Sequence, residues 1–276
     1  MARDLIYRIC ALALGGLIAL VGLPAVSEEL PPSFEAVYRV NVAGLTMGEV
    51  VISLDYLDGR YVYRKFTKTR GLMSWFRNDT IEEISRGEVD GNRIRSQFYL
   101  YEYKKRGKVK RASITFPRVG KAVAERHGKT YVLKTPETTY DRASVELALM
   151  RDAGGDVLEY PVVEKGKLVN YRFKSLGEKV LDLPAGLFHC QEYEVVRSHA
   201  NRSTSMCLAS EAANLPVWAT HNEKGTTLKM SLVRYQMKTR LARPGKTPSG
   251  DRQAEKESLA RISAGSAHSN TSNAGQ

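Results

Sequence analysis

The chain has 276 residues, 42% of them hydrophobic and 26% charged, which is ordinary for one folded globular domain and leaves no need for a second. Its formal net charge of +12 would point a cytosolic chain toward nucleic acid. The first two dozen residues argue for export, which excludes nucleic acid and leaves lipid, lipopolysaccharide or another anionic envelope polymer as partners for a basic surface.

Arg3 and Arg8 precede an apolar run over residues 9–21 (ICALALGGLIALV), the length of a signal h-region and too short to span a bilayer comfortably. Pro24, Ala25 and Ser27 supply a helix break and small residues for cleavage after Ser27. Residues 1–27 therefore read as a cleaved secretory signal peptide. Residues 28–242 read as a β-rich periplasmic domain, and residues 243–276 as a disordered basic and polar tail too poor in large apolar residues to order itself. Within that tail, residues 254–262 form a weakly amphipathic stretch. Cys10 lies inside the h-region without the small residue before it that a lipid-anchor site needs.

Along the domain, short segments rich in Val, Ile, Tyr, Phe and Thr recur every 8 to 12 residues between turn signals. Strands are expected at 34–42, 47–56, 61–69, 80–84, 93–103, 110–116, 122–125 and 130–133. Ala43-Gly44, Asp58-Gly59, Asp90-Gly91, Arg106-Gly107 and His127-Gly128 mark the turns between them. One segment breaks the rhythm: residues 141–151 (DRASVELALMR) place Ala143, Leu147 and Met150 at helical spacing, with Asp141 as N-cap and Gly154-Gly155 as terminator. Strands resume at 158–163, 168–174, 178–183, 187–197, 203–209, 216–222 and 226–237. The expected fold is all-β with one short helix, an antiparallel meander forming a barrel-like or half-barrel sheet.

Once the signal is removed only Cys190 and Cys207 remain, in a compartment that permits disulfides. They fall on two strands joined by the turn 198–202, roughly opposite each other. Register decides between a disulfide and two buried thiols.

Four pieces in order, VAGLTMG (42–48), DRAS (141–144) with Arg151, PAGLF (184–188) and MCLASEAANLPV (206–217), resemble an exported bacterial family known as domain of unknown function 3108. The resemblance covers about residues 34–241. It implies an antiparallel barrel-like or half-barrel β fold in the periplasm and carries no agreed activity and no catalytic residues. In that family an aromatic residue often stands at the position of Cys207, so a disulfide there would be particular to this chain.

No P-loop, dinucleotide fingerprint, H-E-x-x-H or G-x-S-x-G motif occurs, so neither a cofactor nor a metal site is expected. His127 and His199 fall in turns. His189 points away from Cys190 by strand alternation, which argues against a metal pair. Asp141 and Ser144 with a distant His would make a hydrolase triad, but three residues apart at a helix start they read as a cap. The most distinctive stretch is residues 98–111 (FYLYEYKKRGKVKR). Tyr99, Tyr101 and Tyr103 share a strand face, and Lys104, Lys105 and Arg106 begin a basic hairpin tip. Trp75 lies in an unusually apolar connection, residues 71–76 (GLMSWF), a candidate lid or core plug.

Two functions are expected from this pattern. The first is a non-catalytic module binding an apolar or amphipathic envelope molecule, with Trp75 and the three tyrosines as lining and the lysines as rim. The second is a structural or assembly factor that binds another envelope protein. For the tyrosines and lysines the plain alternative is core packing and edge protection.

Overall fold

A computed structural model describes residues 29–70, 79–196 and 202–238. The signal segment, Trp75 with its apolar connection, His199 and the tail lie outside them.

The strands are β1 (Phe34–Val42), β2 (Leu45–Leu57), β3 (Arg60–Thr69), β4 (Thr80–Asp90), β5 (Arg93–Lys105), β6 (Lys108–Arg118), β7 (Lys121–Arg126) and β8 (Lys129–Lys134). Helix α1 (Ser144–Arg151) follows, then β9 (Val157–Glu164), β10 (Lys167–Leu183), β11 (Gly186–Val196), β12 (Arg202–Ala209), β13 (Leu215–Glu223) and β14 (Thr226–Met237). All join one antiparallel sheet in the order β8-β7-β6-β5-β4-β3-β2-β1-β14-β13-β12-β11-β10-β9. The sheet is open, and it curls until its ends touch at one point. The Tyr131 ring of β8 comes within 2.7 Å of where a side chain on Gly166, in the β9–β10 turn, would begin.

Alternation follows the pleat. On β1 Phe34, Ala36, Tyr38 and Val40 are buried in one row, continued by Val50, Ile52 and Leu54 on β2 and Tyr61 and Tyr63 on β3. Two-residue hairpins set the registers. Asp58-Gly59 and Arg106-Gly107 each hold two successive residues at positive φ, as the turn that matches strand twist requires.

The two strands expected at 168–174 and 178–183 are one. β10 runs through, because Leu176 forms a bulge between Ser175 and Gly177 and Gly177 takes φ +100°. A short 3-10 turn at Ser210–Ala212, with no counterpart in the sequence reading, closes the β12–β13 connection.

Helix α1 lies in the hollow of the sheet. Val145, Leu147, Ala148, Leu149 and Met150 are all buried, so the helix is apolar on nearly every side, as a helix enclosed by protein must be. The Val, Leu and Met side chains are each worth roughly 1.5 to 3 kcal/mol when fully buried. The hollow is thus occupied by the chain's own helix.

Cys190 and Cys207 form a disulfide with Cα atoms 5.4 Å apart. They are diagonal neighbours, since Cys190 stands opposite Ala209 and Cys207 opposite Glu192.

Candidate functional site

The ends of α1 are where the sequence's distinctive pieces meet. Although the regular helix starts at Ser144, Asp141 caps it. Asp141 Oδ1 accepts the backbone N–H groups of Ala143 (2.8 Å) and Ser144 (2.9 Å), and its carbonyl accepts that of Val145 (3.1 Å). Ser144 Oγ accepts the Asp141 N–H at 2.9 Å, so the two residues cap reciprocally. Behind them Ser85 Oγ donates to Asp141 Oδ2 (2.7 Å), Tyr61 OH meets Ser85 Oγ (3.0 Å), and Ser96 Oγ meets Ser144 Oγ (2.8 Å). Asp141, Ser85 and Ser144 are wholly buried. Burial pushes the Asp141 carboxyl above its ordinary range against the pull of these hydrogen bonds. The pair imagined as catalytic is a sealed helix cap with its bonds already committed.

The other end of α1 is held as firmly. Asn214 Nδ2 donates to the Met150 carbonyl (2.8 Å), Arg151 pairs with Asp152 and donates to the Asn92 carbonyl (2.9 Å), and the Gly154 N–H donates to Tyr193 OH (2.7 Å). Sequence reading missed Asn214. Its signal was the Ala213-Asn214 pair, both at positive φ.

Between helix and sheet lies a charged cluster. Lys65 Nζ reaches Glu146 Oε1 at 2.5 Å and Glu83 Oε2 at 3.9 Å. Tyr63 OH donates to Glu146 Oε2 (2.9 Å) and Tyr99 OH to Glu83 Oε1 (2.5 Å). Burial alone would raise Glu83, but Lys65, Arg142 and the Tyr99 hydroxyl overcome it and hold the carboxyl below its usual value. Burial would likewise pull Lys65 down, and Glu146 with Glu83 raises it instead. Glu164 sits below its usual value for the same kind of reason: burial is outweighed by Lys165, Tyr171 and Arg142. The arrangement binds α1 to β3, β4 and β9 by mutually neutralising charges.

Tyr99, Tyr101 and Tyr103 do share the inner face of β5, opposite Ser85, Glu83 and Ile81. Tyr99 is buried, Tyr101 packs half-buried on the core, and Tyr103 OH donates to Asp79 Oδ2 (3.0 Å). Lys104, Lys105 and Arg106 stand at the β5–β6 turn. Lys104 and Arg111 both pair with Glu102 on the outer face, which lowers that carboxyl, while Lys105 and Arg106 have no ion-pair partner among the described residues.

Two concavities stand out among the described residues. One of about 820 Å³ lies at the opposite end from the basic tip, between the β4–β5 turn, the β6–β7 turn, residues 135–140 and Arg151. Its lining is mixed, with Arg93, Arg95 and Arg118 beside Asp90 and Glu137 and, deeper, the buried Ile94, Ser96 and Tyr140. The other, about 650 Å³, is on the outside of the β2–β3 hairpin. His189 is exposed while Cys190 is buried, as alternation requires. Thr204 Oγ1 and His221 Nδ1 meet at 2.8 Å, with Glu223 3.6 Å from the other ring nitrogen, but neither concavity adjoins them. Among the described residues no three of His, Cys, Asp or Glu are grouped to hold a metal.

Residues 37–239 match the family model described as protein of unknown function, DUF3108, and the chain belongs to that family. Among curated proteins nothing matches. A β-barrel-like protein of domain of unknown function DUF1849 from Brucella abortus is 12% identical over 77% of this chain and 100% of its own, with TM-score 0.53, a likeness of fold. A protein from Parabacteroides distasonis provisionally described as a lipoprotein covers 75% of this chain and 97% of its own at 7% identity and TM-score 0.34. A protein from Bacteroides fragilis provisionally described as exported, with a YmcC-like fold, covers 75% and 99% at 10% identity and TM-score 0.32.

Proposed function

We propose that the chain is a non-catalytic binding module of the bacterial cell envelope, exported to the periplasm, which holds an amphipathic envelope molecule such as lipid or lipopolysaccharide on its surface. The observation that carries this reading is the placement of α1. A half-barrel of this kind offers its hollow as the natural chamber for an acyl chain. Here Leu147, Leu149 and Met150 occupy that hollow, and Tyr99 is turned into a hydrogen bond with Glu83. Binding by displacement would break the caps at both ends of the helix, so the outer surface and the rim are the cheaper place to bind. The signal-like first 27 residues and the Cys190–Cys207 disulfide support the compartment.

Native mass spectrometry with lipid extraction, on protein purified from the periplasm without detergent, tests the reading. The expected spectrum shows the bare polypeptide mass, with lipid adducts that disappear in high salt. A stoichiometric lipid that survives high salt would place the ligand inside and overturn surface binding.

A second reading, docking of another envelope protein, is favoured by one observation. β10 pairs with β9 only as far as Lys174 and continues to Leu183, and Leu176, Val180 and Leu187 are exposed on this hairpin. Crosslinking in cells from position 180 would separate the two readings by yielding a discrete protein adduct.

A further inference from the structure

Because every neighbour in the sheet is antiparallel, the turns alternate strictly between its two ends. At one end, which also carries the β3–β4 and β11–β12 connections with residues 71–78 and 197–201 outside the described ones, fall five tight turns: β1–β2, β5–β6, β7–β8, β9–β10 and β13–β14. In sequence they are scattered over most of the domain. Each is a two-residue X-Gly turn with both residues at positive φ, so flanking side chains stand directly at the rim. Their sequences are KKRGKVKR (104–111), RHGK (126–129), KGK (165–167) and KGT (224–226), with AGL at 43–45, and Glu125, Glu164 and Glu223 directly precede three of them. Of the acids beside these turns, Glu102 pairs with Lys104 and Arg111, Glu164 with Lys165 and the Tyr171 hydroxyl, and Glu223 with Arg202, which leaves the exposed Glu125. The opposite end carries Asp58, Asp90, Asp182 and Glu211 in or beside its turns, among its basic residues.

Large apolar side chains are exposed beside the same basic turns: Leu45 (62%), Val109 (50%), Val132 (66%), Leu168 (39%) and Leu228 (37%). Exposed apolar residues occur at the other end too, so it is the excess of positive charge that distinguishes this rim. The contact of Tyr131 with Gly166 brings its two extremities together.

We infer that this rim docks the domain, end-on, onto a bilayer of anionic phospholipids, the lysines and arginines against the headgroups and the apolar tips at the interface. Charge complementarity selects this occupant, since each Lys or Arg near an anionic membrane surface adds about 1 kcal/mol of attraction and the turns present several at one end. The inference rests on the surface-binding reading above and names its surface and ligand.

The test is sedimentation of the full mature chain with vesicles of mixed phosphatidylglycerol and phosphatidylethanolamine, and with phosphatidylcholine vesicles. The rim variant carries Lys105→Gln, Arg106→Gln, Lys108→Gln and Lys110→Gln. A charge-matched control at the opposite end carries Arg60→Gln, Arg93→Gln, Arg118→Gln and Lys121→Gln. Circular dichroism confirms the fold of both, and the tail is common to all three proteins.

The rim variant is expected to lose roughly a hundred- to thousand-fold in partitioning to the anionic vesicles, from about 1 kcal/mol for each charge removed. The control should stay within about ten-fold of the parent, and phosphatidylcholine should bind none of them. Equal losses in both variants, an undiminished rim variant, or equal binding to phosphatidylcholine overturns the inference. Failure of the parent to bind vesicles overturns it as well, leaving the broader reading to the mass spectrum.

Discussion

Replacing Asp141 with alanine removes the acceptor of two backbone N–H groups and of the Ser85 hydroxyl in a place that water does not reach. Loss of an N-cap costs about 1 to 2 kcal/mol, and stranding a buried hydroxyl donor costs about 1 to 3 kcal/mol more. A total of roughly 2 to 5 kcal/mol is expected, a large share of the roughly 5 to 15 kcal/mol by which domains are typically stable. Asp141→Asn should behave differently. It keeps one acceptor oxygen for the helix N-terminus, and it removes a carboxyl whose raised pKa makes its ionised form costly to the native state above about pH 3.9. Its loss at pH 7 should stay within about 1 kcal/mol. Urea denaturation followed by circular dichroism measures both. An Asp141→Ala midpoint within 1 kcal/mol of the parent would refute the claim that this cap anchors α1 in the hollow.

Reducing Cys190–Cys207, whose sequence separation is 17, should lower stability by about 3 kcal/mol on the chain-entropy estimate, read as a shift of the urea midpoint with and without reductant. Gly87→Ala would place a Cβ 2.0 Å from the Arg95 carbonyl oxygen and 2.7 Å from the Tyr61 ring, so a loss of about 3 kcal/mol or more is expected in thermal melts. Glu83→Gln should cost about 1 to 3 kcal/mol at pH 7. Because the Glu83 pKa is lowered on folding, its contribution is fully present above about pH 4.3 and is lost as pH falls through the folded value. The difference between parent and Glu83→Gln in urea titrations should therefore shrink toward zero in acid.

The strands were legible because period-two burial and X-Gly turns are local. Asp58-Gly59 and Arg106-Gly107 specify their hairpins without help from the rest of the chain. The division of β10 into two was misread because Gly177 looks like a terminator, whereas it sits at a bulge through which pairing with β11 continues. The Asp141 cap was legible, its place in the fold was not. The clue was that Val145, Leu147, Ala148, Leu149 and Met150 leave the helix without a polar face, which only an interior position tolerates. Lys65 and Glu83 defeat strand alternation, since a charged residue on an inner face makes sense only once Glu146 arrives from α1. The basic tip at 104–111 was visible as sequence, but its continuation into a rim was hidden. Residues 126–129, 165–167 and 224–226 join it only through the parity of an antiparallel sheet.

Hydrogen exchange of the full mature chain, with and without anionic vesicles, addresses the central claim most directly, because it reads the hollow and the rim in one experiment. The account predicts that the amides of α1, residues 144–151, keep their protection when vesicles are added while residues 104–111 gain it. Loss of protection in α1 on lipid addition, with the rim unchanged, would show that lipid displaces the helix and enters the hollow, and would contradict the account.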